Sequence, residues 1–340
     1  MSTKMITLRL AVELAFGLAF LIMWLPRALP SQAIVSLLWP IYHWYGVDHY
    51  FRLIDSPGAL VGFIMLGLSS VLVREYLANS KAVNKIPVRI HVTGIRGKTT
   101  TTRLIGAALR HSGLRVITKT TGKAARLIDE KGAEHSIREH KEIPNLREQP
   151  RIIGKIVENG NPDAIVFECM SLRPRNIVAE RKFVRPTICV ITNVRTDHLD
   201  VMGPKLEDVA WTLSGIIPAN GFVVTAEKKY LPIIMKRAEN QAAKVIKADE
   251  NTVPDELLSK FSYLVFKESI AIALAVCGQL GMRPEDAIDG MLEARPDPGL
   301  TRILDAVIAN QRMRFIVAFG VNDVDSTRIV FEELERRGFY

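Results

Sequence analysis

The 340-residue chain has only three cysteines, Cys169, Cys189 and Cys277, and no CxxC pair. That excludes a disulfide scaffold and argues against a zinc ribbon; the three thiols read as reduced and buried. Glycine (22) and proline (17) are too few for collagen-like or low-complexity sequence. With 48% hydrophobic and 24% charged residues, intrinsic disorder is excluded. Acidic residues are outnumbered, 36 against 45 Lys and Arg, leaving a net charge of +9. That sign favours an anionic partner: phosphate, membrane lipid, nucleic acid or an acidic polymer. The basic residues are scattered and no recognition motif is present, which argues against nucleic acid.

Long apolar runs occur at the amino-terminal end. One extends from Ile6 to Leu25, broken by Arg9 and Glu13. Another extends from Ala59 to Val73 and carries the small residues Gly62, Gly67, Ser69 and Ser70. A helix needs ~20 apolar residues to span a bilayer. Residues 6–25 and 57–74 are therefore expected as two transmembrane helices of an anchor over 1–80. The run Ala33–Tyr45, with Pro40, Trp39 and Trp44, reads as interfacial or re-entrant. Pro26-Arg27 follows the first run where a signal peptide would need small residues, so cleavage is not expected. Lys4, Arg9, Arg74, Lys81 and Lys85 would then face the cytoplasm. The expectation is a multi-pass protein of the cytoplasmic membrane with its catalytic bulk in the cytoplasm.

After Lys81 the pattern changes. Val88–Thr93 reads as a strand, Gly94-Ile95-Arg96-Gly97-Lys98-Thr99-Thr100 follows, and an apolar-periodic helix covers Thr101–Arg110. Strand, Gly-rich loop, Lys-Thr and helix form a phosphate cradle. Backbone N–H groups and the helix start face the anion, Lys98 adds a point charge, and Thr99 offers a hydroxyl to Mg²⁺. Strands are also expected at 114–118, 164–167 (ending in Glu168), 187–192 (ending in Asn193) and 222–225. Apolar strands alternating with helices predict an α/β fold with a parallel sheet covered on both faces. Ligands bind at the carboxyl ends of such strands, where Lys98, Thr99, Thr121, Glu168, Asn193 and His198 fall. Glu168 ends an apolar strand, a costly place for an acid unless it meets a cation such as Mg²⁺. His198 lies in the polar run from Asn193 to Asp200.

These motifs resemble the Mur ligase superfamily, ATP-dependent amide-forming enzymes. Within it, Pro87–Gly94, Lys119-Thr120-Thr121-Gly122, Glu168-Cys169-Met170-Ser171 and Ile191–Gly203 closely resemble the ligase subunit of poly-γ-glutamate synthases, the PgsB/CapB type. Asp297-Pro298-Gly299 and Asn322-Asp323 resemble later motifs of that group. The resemblance implies a Mur-ligase-like ATP-binding domain over 81–298 and an abbreviated C-terminal domain over 299–340. It implies ATP as cosubstrate and Mg²⁺, or Mn²⁺ in its place, as metal. Lys98, Glu168 and His198 would be catalytic, with Thr99, Glu168 and His198 holding metal. Gly94 to Thr100, Thr121, Asn193 and Asp323 would bind the nucleotide, with Asn193 near the adenine or the metal shell.

The implied reaction polymerises glutamate into poly-γ-glutamate through an acyl phosphate at the cytoplasmic membrane face, a capsule-building chemistry. The implied partners are glutamate, the growing polyglutamate, the lipid bilayer and small integral membrane subunits of a synthase–exporter complex; a homo-oligomer is left open. Arg96, Arg173, Arg175, Arg181, Arg185 and Arg195 are candidate carboxylate clamps. The sequence departs from the superfamily in three places. No lysine stands in Trp211–Ile217, Leu300 follows Pro298-Gly299, and Val324 follows Asn322-Asp323. The alternative reading is a membrane-tethered P-loop ATPase serving transport or assembly without ligation.

Overall fold

The computed structural model describes residues 57–121, 125–137, 145–297, 301–308, 311–318, 324–336 and 338. Elements run in the order α1 (Pro57–Val83), β1 (Val88–Thr93), α2 (Lys98–His111), β2 (Val116–Lys119), β3 (Arg126–Ile128), β4 (Glu134–Ser136), α3 (Glu148–Asn159), β5 (Ala164–Glu168), α4 (Pro174–Val184) and β6 (Ile188–Ile191). Then come α5 (Leu199–Met202), α6 (Leu206–Leu213), β7 (Phe222–Thr225), α7 (Leu231–Glu239), β8 (Lys244–Lys247), α8 (Asp255–Ser259), α9 (Lys267–Gln279) and α10 (Pro284–Leu292). A hairpin, β9 (Arg302–Ile308) and β10 (Gln311–Val317), and α11 (Val324–Arg336) follow.

The chain divides into two units, Met1–Arg74 and Glu75–Tyr340, so the break falls inside α1. Among the described residues no helix is long and apolar enough to cross a membrane. This corrects the expected span over 57–74. The stretch is helical, but its helix continues to Val83 and takes in Arg74, Glu75 and Lys81. Charges so close to the apolar run shorten what hydrocarbon could cover. The expected span over 6–25 and the interfacial run lie outside the described residues.

In the second unit, eight strands form one sheet in the order β4-β3-β2-β5-β1-β6-β7-β8. The six strands from β2 to β8 are parallel; five of them are expected from the sequence, and β8 and the antiparallel edge of β3 and β4 are not. Parallel strands covered on both faces read as mostly apolar runs, and the central strands β5, β6 and β7 do so. Ile90 and Val92 of β1, Ile188 and Val190 of β6 and Val224 of β7 point into one cluster with Leu104, Ile105, Ile270 and Met291 of the covering helices. Their alternates Cys189, Ile191 and Val223 point into the opposite cluster with Ile177, Val209 and Ile234. Ile165 and Phe167 of β5 close a third cluster with Val83, Ile86 and Ile153. The period of two along each strand thus fills both layers.

Strand order places the site. β5 inserts between β2 and β1, and β6 lies on the other side of β1. The loops leaving β1, β5 and β6 therefore emerge side by side at the point where the winding reverses, where such sheets bind ligands. In the carboxyl-terminal part the sequence predicts one strand and one helix. The structure has two strands and a helix, with Ile303 and Ile316 packed on Leu264, Val330 and Leu334.

Candidate active site

β1 delivers the chain to the glycine loop. Gly94 has φ 134°, and a Cβ there would lie 1.9 Å from Thr192 Oγ1. Only glycine permits both the dihedral and the approach. Gly97, at φ 78°, turns the chain into α2. The loop is braced from the exit of β6. The Thr192 hydroxyl donates to the Arg96 carbonyl (2.7 Å), and the Asn193 amide group also donates to it (3.1 Å). Asn193 Oδ1 accepts the Arg96 N–H (3.0 Å), and its backbone carbonyl accepts the Ile95 N–H (3.2 Å). Asn193 therefore holds the phosphate loop through both its side chain and its backbone. Glu227 steadies Asn193 in turn, accepting from the N–H groups of Val194 (2.9 Å) and Tyr230 (3.2 Å).

At the start of α2, Lys98 folds back over the loop, donating to the carbonyls of Gly94 (2.9 Å) and Ile95 (3.1 Å). Its ammonium sits at the helix N-terminus, where free backbone N–H groups gather. Thr99 donates its hydroxyl to Glu168 Oε1 (3.1 Å) and Oε2 (3.0 Å), and the Thr121 N–H donates to Oε2 (2.9 Å). Glu168 is buried, and no cation forms an ion pair with it among the described residues. A buried carboxylate served only by neutral donors is under-compensated. Hard oxygen ligands from Thr99 and Glu168, beside a phosphate loop, suit Mg²⁺ or Mn²⁺. Thr100 follows in the first turn of α2, half-buried.

His198 stands apart. Its φ is 51°, it begins the short α5, and its side chain is 43% exposed with Nε2 3.6 Å from Asp197. No hydrogen bond or ion pair joins it to Glu168 or Thr99 among the described residues. Asp197 also pairs with Arg96 (3.2 Å), which ties the polar run after Asn193 to the glycine loop. Asp323 lies outside the described residues, as do Gly122 and Pro298–Leu300. The candidate arginines divide. Arg181 is spent on the Ile217 carbonyl (2.7 Å) and Gln241 (3.2 Å), and Arg185 on Ser80 (2.7 Å) and the ring of Tyr76. Arg195 pairs with Glu268 (3.3 Å). Arg173 and Arg175, where α4 begins just after the Glu168 turn, are exposed and make no ion pair among the described residues.

Three groups support the site in roles that the sequence does not signal. The first turn of α9 reaches the loop: Ser269 Oγ would be 3.4 Å from a Cβ on Gly97. Beside it, burial raises the pKa of Glu268 while the Arg195 charge opposes the rise. Lys119 is fully buried at the end of β2 against Glu148 (3.1 Å), fixing the strand that leads to Thr121. Glu180 of α4 is buried behind the Glu168 turn. Polar residues in helices give no signal of such depth; only topology does. A separate cavity of about 330 Å³ is lined by Arg103, Arg110, His111, Glu134, Glu293 and others, and shares no residue with the loop. Its ion pairs Arg103–Glu134 and His111–Glu293 offset much of its charge.

Residues 92–278 match a family model described as the Mur ligase middle domain. Among curated proteins, the capsule biosynthesis protein CapB of Bacillus anthracis is 36% identical over 316 residues, covering 88% of this chain and 67% of that protein. PGA synthase CapB of Bacillus subtilis (strain 168) is 37% identical over 267 residues, covering 78% and 68%. Among solved structures, E. coli FolC in complex with ADP aligns with a TM-score of 0.62 at 18% identity, covering 78% of this chain and 70% of that one. A bifunctional folylpolyglutamate synthase/dihydrofolate synthase with Mn, AMPPNP and L-glutamate bound aligns at 0.60, also 18% identical, with the same coverage. Identities this low establish the shared fold alone.

Proposed function

The chain belongs to the Mur ligase family, and from that premise we propose that it is an ATP-dependent amide ligase that polymerises glutamate into poly-γ-glutamate. The observation that carries this reading is the Glu168 carboxylate, buried beside Thr99 and the Lys98 loop with no ion-pair partner among the described residues. The names of the two CapB relatives support the substrate class.

In the first step a glutamate carboxylate oxygen attacks the γ-phosphorus of ATP, the bond to the bridging oxygen breaks, and ADP leaves. In the second, an incoming amine attacks the acyl carbon, loses a proton and expels phosphate. Lys98 and the N–H groups of the loop and of the first turn of α2 hold the phosphates and stabilise their charge. Thr99 and Glu168 would hold a divalent metal, which when bound neutralises charge on the transferring phosphoryl group. Asn193 keeps the loop in shape, and Thr121 keeps Glu168 aimed. Arg173 and Arg175 are the candidate arginines left to bind carboxylates, and the net positive charge favours a polyanionic product.

We place the reaction at the cytoplasmic face of the membrane, with small integral membrane subunits receiving the polymer. The exposed apolar side chains Ile64, Met65, Leu68 and Leu72 of α1 support contact with lipid or with such subunits. Glutamate labelled with ¹⁸O in its carboxylates tests the ligase reading. Transfer of one label into the released phosphate is expected for an acyl phosphate; unlabelled phosphate would refute it and favour an ATPase without ligation.

A further inference from the structure

The turn that follows Glu168 is tied, residue after residue, to one buried side chain. Glu180 of α4 is fully buried. Its Oε1 accepts from His91 Nε2 (3.3 Å), Gln149 Nε2 (2.6 Å) and the Met170 N–H (3.1 Å). Its Oε2 accepts from the Ser171 N–H (3.2 Å) and the Cys169 thiol (3.4 Å). Cys169, Met170 and Ser171 are the three residues directly after Glu168. His91 precedes Val92, the β1 residue in register with Glu168, and Val92 also accepts the Cys169 N–H (2.8 Å). One carboxylate thus joins β1, α3, α4 and the exit of β5.

We propose that Glu180 is the positioning residue for Glu168, fixing the Cys169–Ser171 turn so that the Glu168 carboxylate stands opposite Thr99, ready for metal. The inference rests on the ligase reading and deepens it. His91, Cys169 and Glu180 have ligand atoms within 4.8 Å of one another, a grouping that could itself hold a metal. The hydrogen bonds assign it otherwise. The Cys169 sulfur lies 3.4 Å from Glu180 Oε2 as a donor, and its backbone N–H is already held by Val92. Five donors already converge on the Glu180 oxygens, which makes the cluster a satisfied anion site rather than a cation site.

The charge is not incidental to the geometry. In Glu180→Gln either orientation of the amide turns an NH₂ toward groups that themselves donate, so contacts to the turn break whichever way it flips. Groups one step removed from a metal ligand typically alter metal affinity about 10–100-fold when lost. The test uses the full-length protein with AMPPNP and follows Mn²⁺ binding by EPR, alongside hydrogen exchange at the Met170 and Ser171 amides. Glu180→Gln is expected to weaken Mn²⁺ binding about tenfold and to speed exchange at both amides, with metal-free nucleotide binding within about twofold of wild type. The milder Gln149→Leu, which removes one donor, is expected to shift both readouts the same way by less. Mn²⁺ affinity equal to wild type in Glu180→Gln would overturn the proposal. If that variant does not fold, unchanged affinity in Gln149→Leu overturns it equally. A wild-type protein that binds no Mn²⁺ with the nucleotide would overturn the ligase reading beneath it, a result separable from loss in the variants alone.

Discussion

Thr99 and Glu168 face each other across the ends of β1 and β5, the hydroxyl 3.0 and 3.1 Å from the two carboxylate oxygens. One comes from the phosphate loop and the other from the neighbouring strand, 69 positions apart in sequence. Their meeting makes a strand-end acid into a candidate metal ligand.

Glu168→Gln separates function from stability. Among the described residues the buried carboxylate has no ion-pair partner, so its removal should leave the metal-free melting temperature unchanged or raise it by a few degrees. Turnover should fall about 10²–10³-fold, because the metal loses its carboxylate. Differential scanning fluorimetry with and without Mg²⁺, beside a phosphate-release assay, checks both arms. Marked destabilisation without metal would show that Glu168 serves the fold.

Gly94→Ala should fail for steric reasons. The new Cβ would meet Thr192 Oγ1 at 1.9 Å, at a φ that side chains rarely adopt. A cost of about 2 kcal/mol or more is expected from strain and overpacking, together with loss of nucleotide binding. Urea unfolding and fluorescent-nucleotide titration measure the two. Wild-type stability would contradict the described packing of the loop on β6.

The arginines should sort by environment. Arg181→Ala removes donors to the Ile217 carbonyl and Gln241, so stability should drop by about 1–2 kcal/mol with KM for glutamate little changed. Replacing exposed Arg173 and Arg175 together should raise KM for glutamate about five- to tenfold at low salt, with little effect on melting. Steady-state kinetics at two ionic strengths distinguish the sets. Unchanged KM in the double variant would remove them as substrate ligands.

Acid should reveal Glu180. Burial alone would raise its pKa, but the hydrogen bond and charge of His91, with the bonds from Ser171 and Met170, outweigh that and hold it at about 2, against an ordinary 4.5. A lowered pKa contributes stability that is present above 4.5 and lost as pH falls through about 2. The difference amounts to roughly 3 kcal/mol. Urea unfolding between pH 6 and pH 3 should therefore show wild type losing more stability than Glu180→Gln. Parallel pH profiles would contradict it.

Much of the site is legible in the sequence, because it lies at strand ends that local pattern marks. Lys98 and Thr99 follow a strand and a glycine turn, and Glu168 ends a strand behind four buried apolar residues. What sequence misses depends on which strands become neighbours. Asn193 reaches Arg96 only because β6 lies beside β1, and Glu180 reaches the Glu168 turn only because α4 packs back beneath it. His198 shows the opposite limit: its motif is conspicuous, yet its side chain is half exposed and contacts Asp197. The apolar stretch over 57–74 forms the expected helix, but that helix runs on through Arg74, Glu75 and Lys81.

The most direct test of the central claim is phosphate release from ATP and Mg²⁺ by the full-length protein, with and without glutamate, compared with Lys98→Ala. The ligase account predicts release that depends on glutamate and disappears in a folded Lys98→Ala protein. Release indifferent to glutamate, or retained without Lys98, would contradict it.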